Sequence, residues 1–415
     1  MKTVMRRFAV ALLVGSSFVA LPAIAKDKEP KVEAPKPPKL SKPVAVALAA
    51  AQTMIAAGDN AGAMAKVTEA EAFPTPTAED SYYILQLKLN AAIGLKDNLL
   101  IEKTLVALLA TGRVGAKEKP SFLRNIGSLS LARKDYATAT NAFEQLVALN
   151  PNDSDAIIGL AELYYAQKQS AKSVDSLTQA IAAAKASGQQ VPEAWYRRRL
   201  AIAYDGKQAA QIQPAALGLV EAYPNAVNWR DAAIITRDTY PAADDQTTLD
   251  FLRLQAATNA LSGERDFVEY ADTALGKGYP GEAKMAIDLG ISRNMLVATK
   301  PLVAELRKTA DGKVPADKAS LPGLEKEIKA NPKIALVTGD AYYGYGDYAK
   351  AASLYKQAVG AANVDQATAN LRLGMALARG GDKAGATAAL NAVKGGAREA
   401  LAKYWLIYVN QAKPA

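Results

Sequence analysis

The chain has no cysteine and no histidine in its 415 residues. These two absences exclude thiol nucleophiles, disulfides, Cys/His zinc sites, haem held by histidine and every histidine-based triad. Lack of cysteine is compatible with an oxidising compartment without proving one. Aromatic residues amount to only 7%, while half the residues are hydrophobic and 22% are charged. A core is therefore affordable and disorder is not the default. The alanine-rich composition suits closely packed helices better than sheets. There is no Gly-x-Ser-x-Gly elbow, Ser-x-x-Lys motif or glycine-rich phosphate loop. Acid pairs such as Glu69/Glu71 and Asp244-Asp245 read as solvated faces or turns. Neither an enzyme nor a cofactor is expected.

The first 25 residues read as a cleavable leader. Lys2, Arg6 and Arg7 form a basic start, Phe8 to Val19 an apolar core, and Ala23-Ile24-Ala25 a small-residue cleavage site. Gly15, Ser16, Ser17 and Pro22 weaken the alternative of a membrane anchor, and the apolar run is short for one. A lipid-anchored lipoprotein is excluded without cysteine. Arg6-Arg7 lacks a fuller twin-arginine context, so the general secretory route is expected, with a periplasmic or secreted product and no stable membrane anchor. Cleavage after Ala25 removes three basic residues and takes the net charge from +9 to +6, 47 basic against 41 acidic. That excess is too diffuse to argue for nucleic acid. Residues 26–43 carry six lysines, three acids and five prolines, which marks an extended, solvated linker.

From Val44 onward apolar residues recur at spacings of three and four, and no convincing alternating strand pattern interrupts them. Gly-Asp, Lys-Asp, Asn-Pro and Tyr-Pro pairs punctuate helices of roughly 12 to 15 residues. Residues 120–153 align without a gap to 154–187, pairing Gly127 with Ala161, Ala139 with Ser173 and Phe143 with Leu177. Residues 332–365 align to 367–399 with one residue inserted, pairing Gly339 with Gly374, Asp347 with Asp382, Ala351 with Ala386 and Tyr355 with Leu390. Small residues let two helices of a hairpin approach closely, and large ones fill the gap to the next hairpin.

This pattern resembles the tetratricopeptide repeat, a helix-turn-helix unit of about 34 residues. Ile126-Gly127, Lys134-Asp135-Tyr136, Ala139, Phe143 and Pro151 match it, as do Leu160-Ala161, Tyr164, Ser173, Leu177 and Ala180. A further unit fits 44–77, and weaker ones fit 82–115 and 264–297. Residues 191–331 are degenerate: Arg198 and Arg199 stand where the family has a large apolar and a small residue, and 309–319, "TADGKVPADKA", reads as a surface loop. Residues 398–415 read as an amphipathic closing helix. The resemblance implies an all-α solenoid of antiparallel helix hairpins, a right-handed superhelix over 44–415, working as a scaffold that binds proteins or peptides.

By the same resemblance, a concave groove is lined by the second, fifth, ninth, twelfth and thirteenth repeat positions of each first helix. Those positions include Arg124, Ser128 and Leu131, then Ile158, Glu162 and Tyr165, then Leu336, Asp340 and Tyr343, then Leu371, Met375 and Arg379. Their mixture of apolar and doubly signed charge suits extended or helical peptides. A protein partner in the envelope is thus expected, with peptidoglycan or an anionic polysaccharide as the alternative, reached through the basic linker and groove tyrosines. The "WYRRRL" cluster at 195–200 is split between helix faces and reads as structural. In "AYYGYGDYAKA", Tyr342 and Tyr348 are expected in the hairpin core, with Tyr355 further along the second helix, and Gly346-Asp347 in the turn. Tyr343 and Tyr345 remain as exposed candidates for stacking.

Overall fold

The computed structural model describes residues 39–241 and 244–411. Residues 1–25, read from the sequence as a leader, and residues 26–38 lie outside them. The described residues form twenty α-helices and no strand. They fall into two compact units that divide after Val191.

The N-terminal unit is four hairpins. They are α1 (Lys42–Ala56) with α2 (Asn60–Glu71), α3 (Ala78–Leu95) with α4 (Asn98–Ala110), α5 (Lys119–Ala132) with α6 (Tyr136–Leu149), and α7 (Ser154–Ala166) with α8 (Ser170–Ala186). Helix α1 begins inside the Lys/Pro-rich stretch, with Pro43 in its first turn, where a missing N–H costs nothing.

One device makes every hairpin turn. A left-handed residue ends the first helix: Gly58, Lys96, Lys134 and Lys168, with φ of 81°, 58°, 65° and 62°. After the first three, an aspartate caps the second helix. Asp59, Asp97 and Asp135 accept from the N–H of Gly62, Leu100 and Thr138 at 2.8, 3.0 and 3.1 Å. Two substitutions separate the parts of this device. Asp97→Ala is expected to lower stability by about 1 kcal/mol through loss of the cap. Lys96→Gly should raise it by about 0.5 kcal/mol, because relieved left-handed strain exceeds the entropy cost of glycine. Urea titration followed by circular dichroism checks both, and equal signs would contradict the assignment.

The small/large pairs of the sequence touch in space. A Cβ on Gly127 would lie 2.6 Å from the Phe143 ring, and one on Gly159 of α7 also 2.6 Å from it. One aromatic ring thus needs glycine on both neighbouring helices. The core of this unit runs through Leu105, Leu123, Phe143, Leu146 and Leu163, all essentially sealed from solvent.

At the N-terminal end, Asp80 ties α1 to α3. Its carboxylate accepts from the N–H and hydroxyl of Ser41 at 2.9 and 2.7 Å, and from the N–H and hydroxyl of Thr77 at 2.9 Å each. Burial opposes ionisation here, but the bonds from Thr77 and Ser41 outweigh it and hold the carboxyl at about 2. A depressed carboxyl contributes stability that is present above its unfolded value and lost as pH falls through its folded value. The first hairpin should therefore lose about 1–2 kcal/mol between pH 4 and pH 2. Asp80→Asn should flatten that dependence, as read from pH-dependent hydrogen exchange of α1.

The C-terminal unit contains α9 (Glu193–Asp205), α10 (Ala209–Ala222), α11 (Ala226–Asp238), α12 (Asp245–Ala257), α13 (Gly263–Gly276) and α14 (Pro280–Ser292). It continues through α15 (Pro301–Glu327), α16 (Ile334–Gly344), α17 (Tyr348–Ala358), α18 (Gln366–Gly380), α19 (Lys383–Asn391) and α20 (Gly396–Asn410). Two sequence expectations are corrected here. Residues 309–319 are not a loop. They continue α15, a 27-residue helix whose Val303, Leu306, Ala310 and Leu321 are buried while Gly312 and Pro315 face solvent. The closing helix α20 is not a simple amphipathic cap either. Ala400, Leu401, Tyr404, Trp405 and Val409 are buried, because α20 packs on α10 and α12 as well as on α18 and α19.

The degenerate register around Arg199 also has a volume explanation. Arg199 is buried and donates to the carbonyls of Pro214 and Ala215 at 3.1 and 3.4 Å. A Cβ on Gly218 would lie 2.6 Å from its Nη2. The large residue has moved to the first helix and the small ones to the second. Arg197 points elsewhere, to Asn228 and Asp231, so the arginine cluster is split as expected.

Candidate interaction surface

The twelve candidate residues part into two groups. In the N-terminal unit, Arg124, Ser128 and Leu131 lie on α5 at i, i+4 and i+7, and Ile158, Glu162 and Tyr165 repeat that spacing on α7. All six are half-buried or exposed, Tyr165 at 37%. Arg124 joins the two hairpins by donating to Asp153 at 2.6 Å.

In the C-terminal unit, Asp340, Tyr343, Leu371 and Met375 are buried instead. Leu336 packs partly against a core cluster, and Arg379 donates to the Tyr348 hydroxyl at 2.9 Å with its guanidinium 5.0 Å from that ring. The four buried residues do not line an open face: α14 and α15 pack on α16, and α17, α19 and α20 pack on α18. Helix α14 enters against α16 where glycine permits it: a Cβ on Gly344 would lie 2.9 Å from the Glu282 backbone nitrogen. The tyrosine assignments shift accordingly. Tyr343 is the core residue, while Tyr342 is half-buried with its hydroxyl on Glu325 at 2.6 Å. Tyr345 is half-buried too, and donates to Asp317 at 2.5 Å. Tyr355 and Gly346-Asp347 stand as read, with Asp347 accepting from the Lys350 N–H at 3.0 Å.

Beneath these residues is a fully buried ionic cluster that sequence reasoning missed. Arg253 of α12 holds Glu282 of α14 by two bonds of 2.7 Å. It also donates to Asp250 at 3.1 Å and to Asp340 of α16 at 2.9 Å. Asp340 further accepts from Arg372 of α18 at 2.7 Å, Tyr279 at 2.9 Å and Tyr355 of α17 at 2.8 Å. Glu282 accepts from Tyr270 of α13 at 2.8 Å. Six helices therefore meet in one hydrogen-bonded knot. Burial works against the Asp340 charge, but Arg372, Arg253 and the two tyrosine hydroxyls hold its carboxyl below the ordinary value. Burial dominates at Asp250, whose Oδ2 has no partner, and pushes its carboxyl up despite Arg372 and Arg253. Burial and the neighbouring carboxylates push the tyrosines 270, 279 and 355 well above 10. Sealed from solvent, these groups serve the fold. The one visible signal was Arg253 itself, set in the run Leu249 to Leu254 where nearly every neighbour is apolar.

An apolar groove of about 680 Å³ lies over α17, α18 and α19, lined by Ala352, Leu373, Ala376, Leu377 and Ala389, and includes none of the twelve candidates. Among the described residues there is no group of three Asp or Glu that could hold a metal ion, and no helix long and apolar enough to cross a membrane.

Repeated hairpins with left-handed turns, aspartate caps and paired small and large residues define a helical-hairpin repeat protein. Residues 130–192 match the tetratricopeptide repeat family. No curated protein matches the sequence. The fold is similar to that of a tetratricopeptide repeat protein from Parabacteroides merdae, at 12% identity, covering 65% of this chain and 99% of that one, with a TM-score of 0.29. It is also similar to a chain of the Naa15/Naa10 complex bound to HypK, at 16% identity over 87% and 65% of the two chains, TM-score 0.34. A third is a Rap protein complexed with competence and sporulation factor, at 14% identity over 77% and 97%, TM-score 0.24.

Proposed function

We propose that the protein is an exported, non-catalytic scaffold that binds other proteins in the cell envelope through the first-helix face of its N-terminal unit. One contrast carries the reading: Arg124, Ser128, Leu131, Ile158, Glu162 and Tyr165 reach solvent, whereas Asp340, Tyr343, Leu371 and Met375 in the equivalent stripes are covered by their own chain. The match of residues 130–192 to a family of generally non-catalytic scaffolds supports it. So do the leader-like first 25 residues and the sequence's lack of histidine and cysteine. The test is capture from a periplasmic extract with the folded chain as bait. Proteins should be enriched on the wild type and lost on Leu131→Glu. Finding none would sink the proposal. Co-sedimentation with sacculi that disappears on deleting residues 26–43 would instead favour a polysaccharide partner.

A further inference from the structure

Helix α1 buries one side and exposes the other. Val44, Ala47, Leu48 and Ala51 are buried where α1 packs on α2 and α3. The side turned away carries Lys42, Val46, Ala49, Thr53 and Ala56, all exposed, Val46 at 72%. Their spacing is four, three, four and three, the heptad spacing by which one helix seats another along a seam. No charged residue occurs from Pro43 to Gly58. Thr53 fits an apolar seam, because its hydroxyl already donates to the Ala49 carbonyl at 3.0 Å. Among the described residues no helix precedes α1, so the seam is the outer edge of the N-terminal unit. The terminal face of a helical-repeat array is ordinarily polar, and this one is not.

The charges at the two ends of the seam select its occupant. Lys42 stands at its start and Asp59 just beyond its end, both exposed. Consider a second copy of α1 laid antiparallel, with the two-fold axis level with position 51. It sets Val46 against Ala56 and Ala49 against Thr53, and brings each Lys42 within one position of the other copy's Asp59. The two helix dipoles then also oppose each other favourably. Parallel pairing would set lysine on lysine and aspartate on aspartate. Alanine at the centre lets the two axes approach to about 8 Å, the near end of helix packing distances. Residues 26–38 do not match the seam in composition. They carry four lysines, three acids and four prolines, with Val32 and Ala34 their only aliphatic side chains.

We infer that the protein self-associates through α1, two copies pairing antiparallel along Lys42, Val46, Ala49, Thr53 and Ala56. A 15-residue helix is about 22 Å long, so the contact is at the small end of specific interfaces and the dimer dissociates on dilution. The pairing uses none of the six exposed or half-buried candidates on α5 and α7.

Sedimentation equilibrium of the full chain across a wide concentration range should show monomer and dimer in exchange. Ala49→Arg places a charge at the centre of the seam and should raise the dissociation constant about tenfold or more. Lys42→Glu, at the seam's end, should raise it about threefold and lose that effect in high salt. It keeps the test informative if circular dichroism shows that Ala49→Arg fails to fold. Orientation is read with single cysteines, which a cysteine-free chain allows. Mixing Ala49→Cys with Thr53→Cys under mild oxidation should give the mixed disulfide in preference to either homodimer. Preference for the Ala49→Cys homodimer, the product of parallel pairing, overturns the inference. So does a chain that stays monomeric at every concentration, which leaves the seam to a helix of another protein. A dimer that Ala49→Arg and Lys42→Glu leave intact places self-association elsewhere and overturns it as well.

Discussion

Asp340→Asn is expected to cost the C-terminal unit about 3–5 kcal/mol, the range for removing one partner of a buried charge network. The amide would remove the charge facing Arg253 and Arg372 and set its NH2 against one donor pair, Arg372 with Tyr279 at the Oδ2 position or Arg253 with Tyr355 at the Oδ1 position. Asp250→Asn, by contrast, should change stability by no more than about 1 kcal/mol. Its Oδ2 has no partner and burial already favours the neutral carboxyl, which asparagine imitates. Trp195, Trp229 and Trp405 all belong to the C-terminal unit, so tryptophan fluorescence during urea unfolding follows that unit selectively. Equal losses for the two substitutions would show that the two carboxylates are not differently charged.

The second large effect is expected at α20. Trp405 is fully buried, and Tyr404 shares a 2.6 Å hydrogen bond with Thr236 of α11 while its ring packs edge-on against Trp229 at 6.0 Å. Gln411 extends the closure with a 2.8 Å bond to the Val220 carbonyl of α10. Trp405→Ala should therefore cost about 3–5 kcal/mol, whereas Tyr404→Phe should cost only about 1 kcal/mol, the net worth of one hydrogen bond. Hydrogen exchange of α10 and α12 should accelerate in Trp405→Ala alone. Unchanged protection in those helices would mean that α20 does not close the unit.

Local rules made much of the fold legible. Gly58-Asp59, Lys134-Asp135 and Gly346-Asp347 announced turns because left-handed backbone and aspartate capping both leave residue-level marks. Gly127 and Phe143, or Gly339 and Tyr355, announced packing because close approach needs a missing Cβ. The face at α5 and α7 followed from the same register. The C-terminal unit did not, because its closure depends on pairs such as Arg253 with Asp340 and Thr236 with Tyr404, 87 and 168 residues apart. A repeat pattern describes neighbours only. It cannot tell that a stripe containing Asp340 and Tyr343 is covered by helices from earlier in the chain. Arg199 illustrates the same limit on a smaller scale, since volume exchanged with Ala215 and Gly218 preserves packing while erasing the motif.

The claim that partners engage the N-terminal face, and not the C-terminal unit, is tested most directly by photo-crosslinking in living cells. A photoreactive residue replaces Ser128 or Tyr165 on that face, or Val337, which is 53% exposed on α16. Discrete adducts with another protein at Ser128 and Tyr165, and none at Val337, are the predicted result. Adducts confined to Val337 would contradict it.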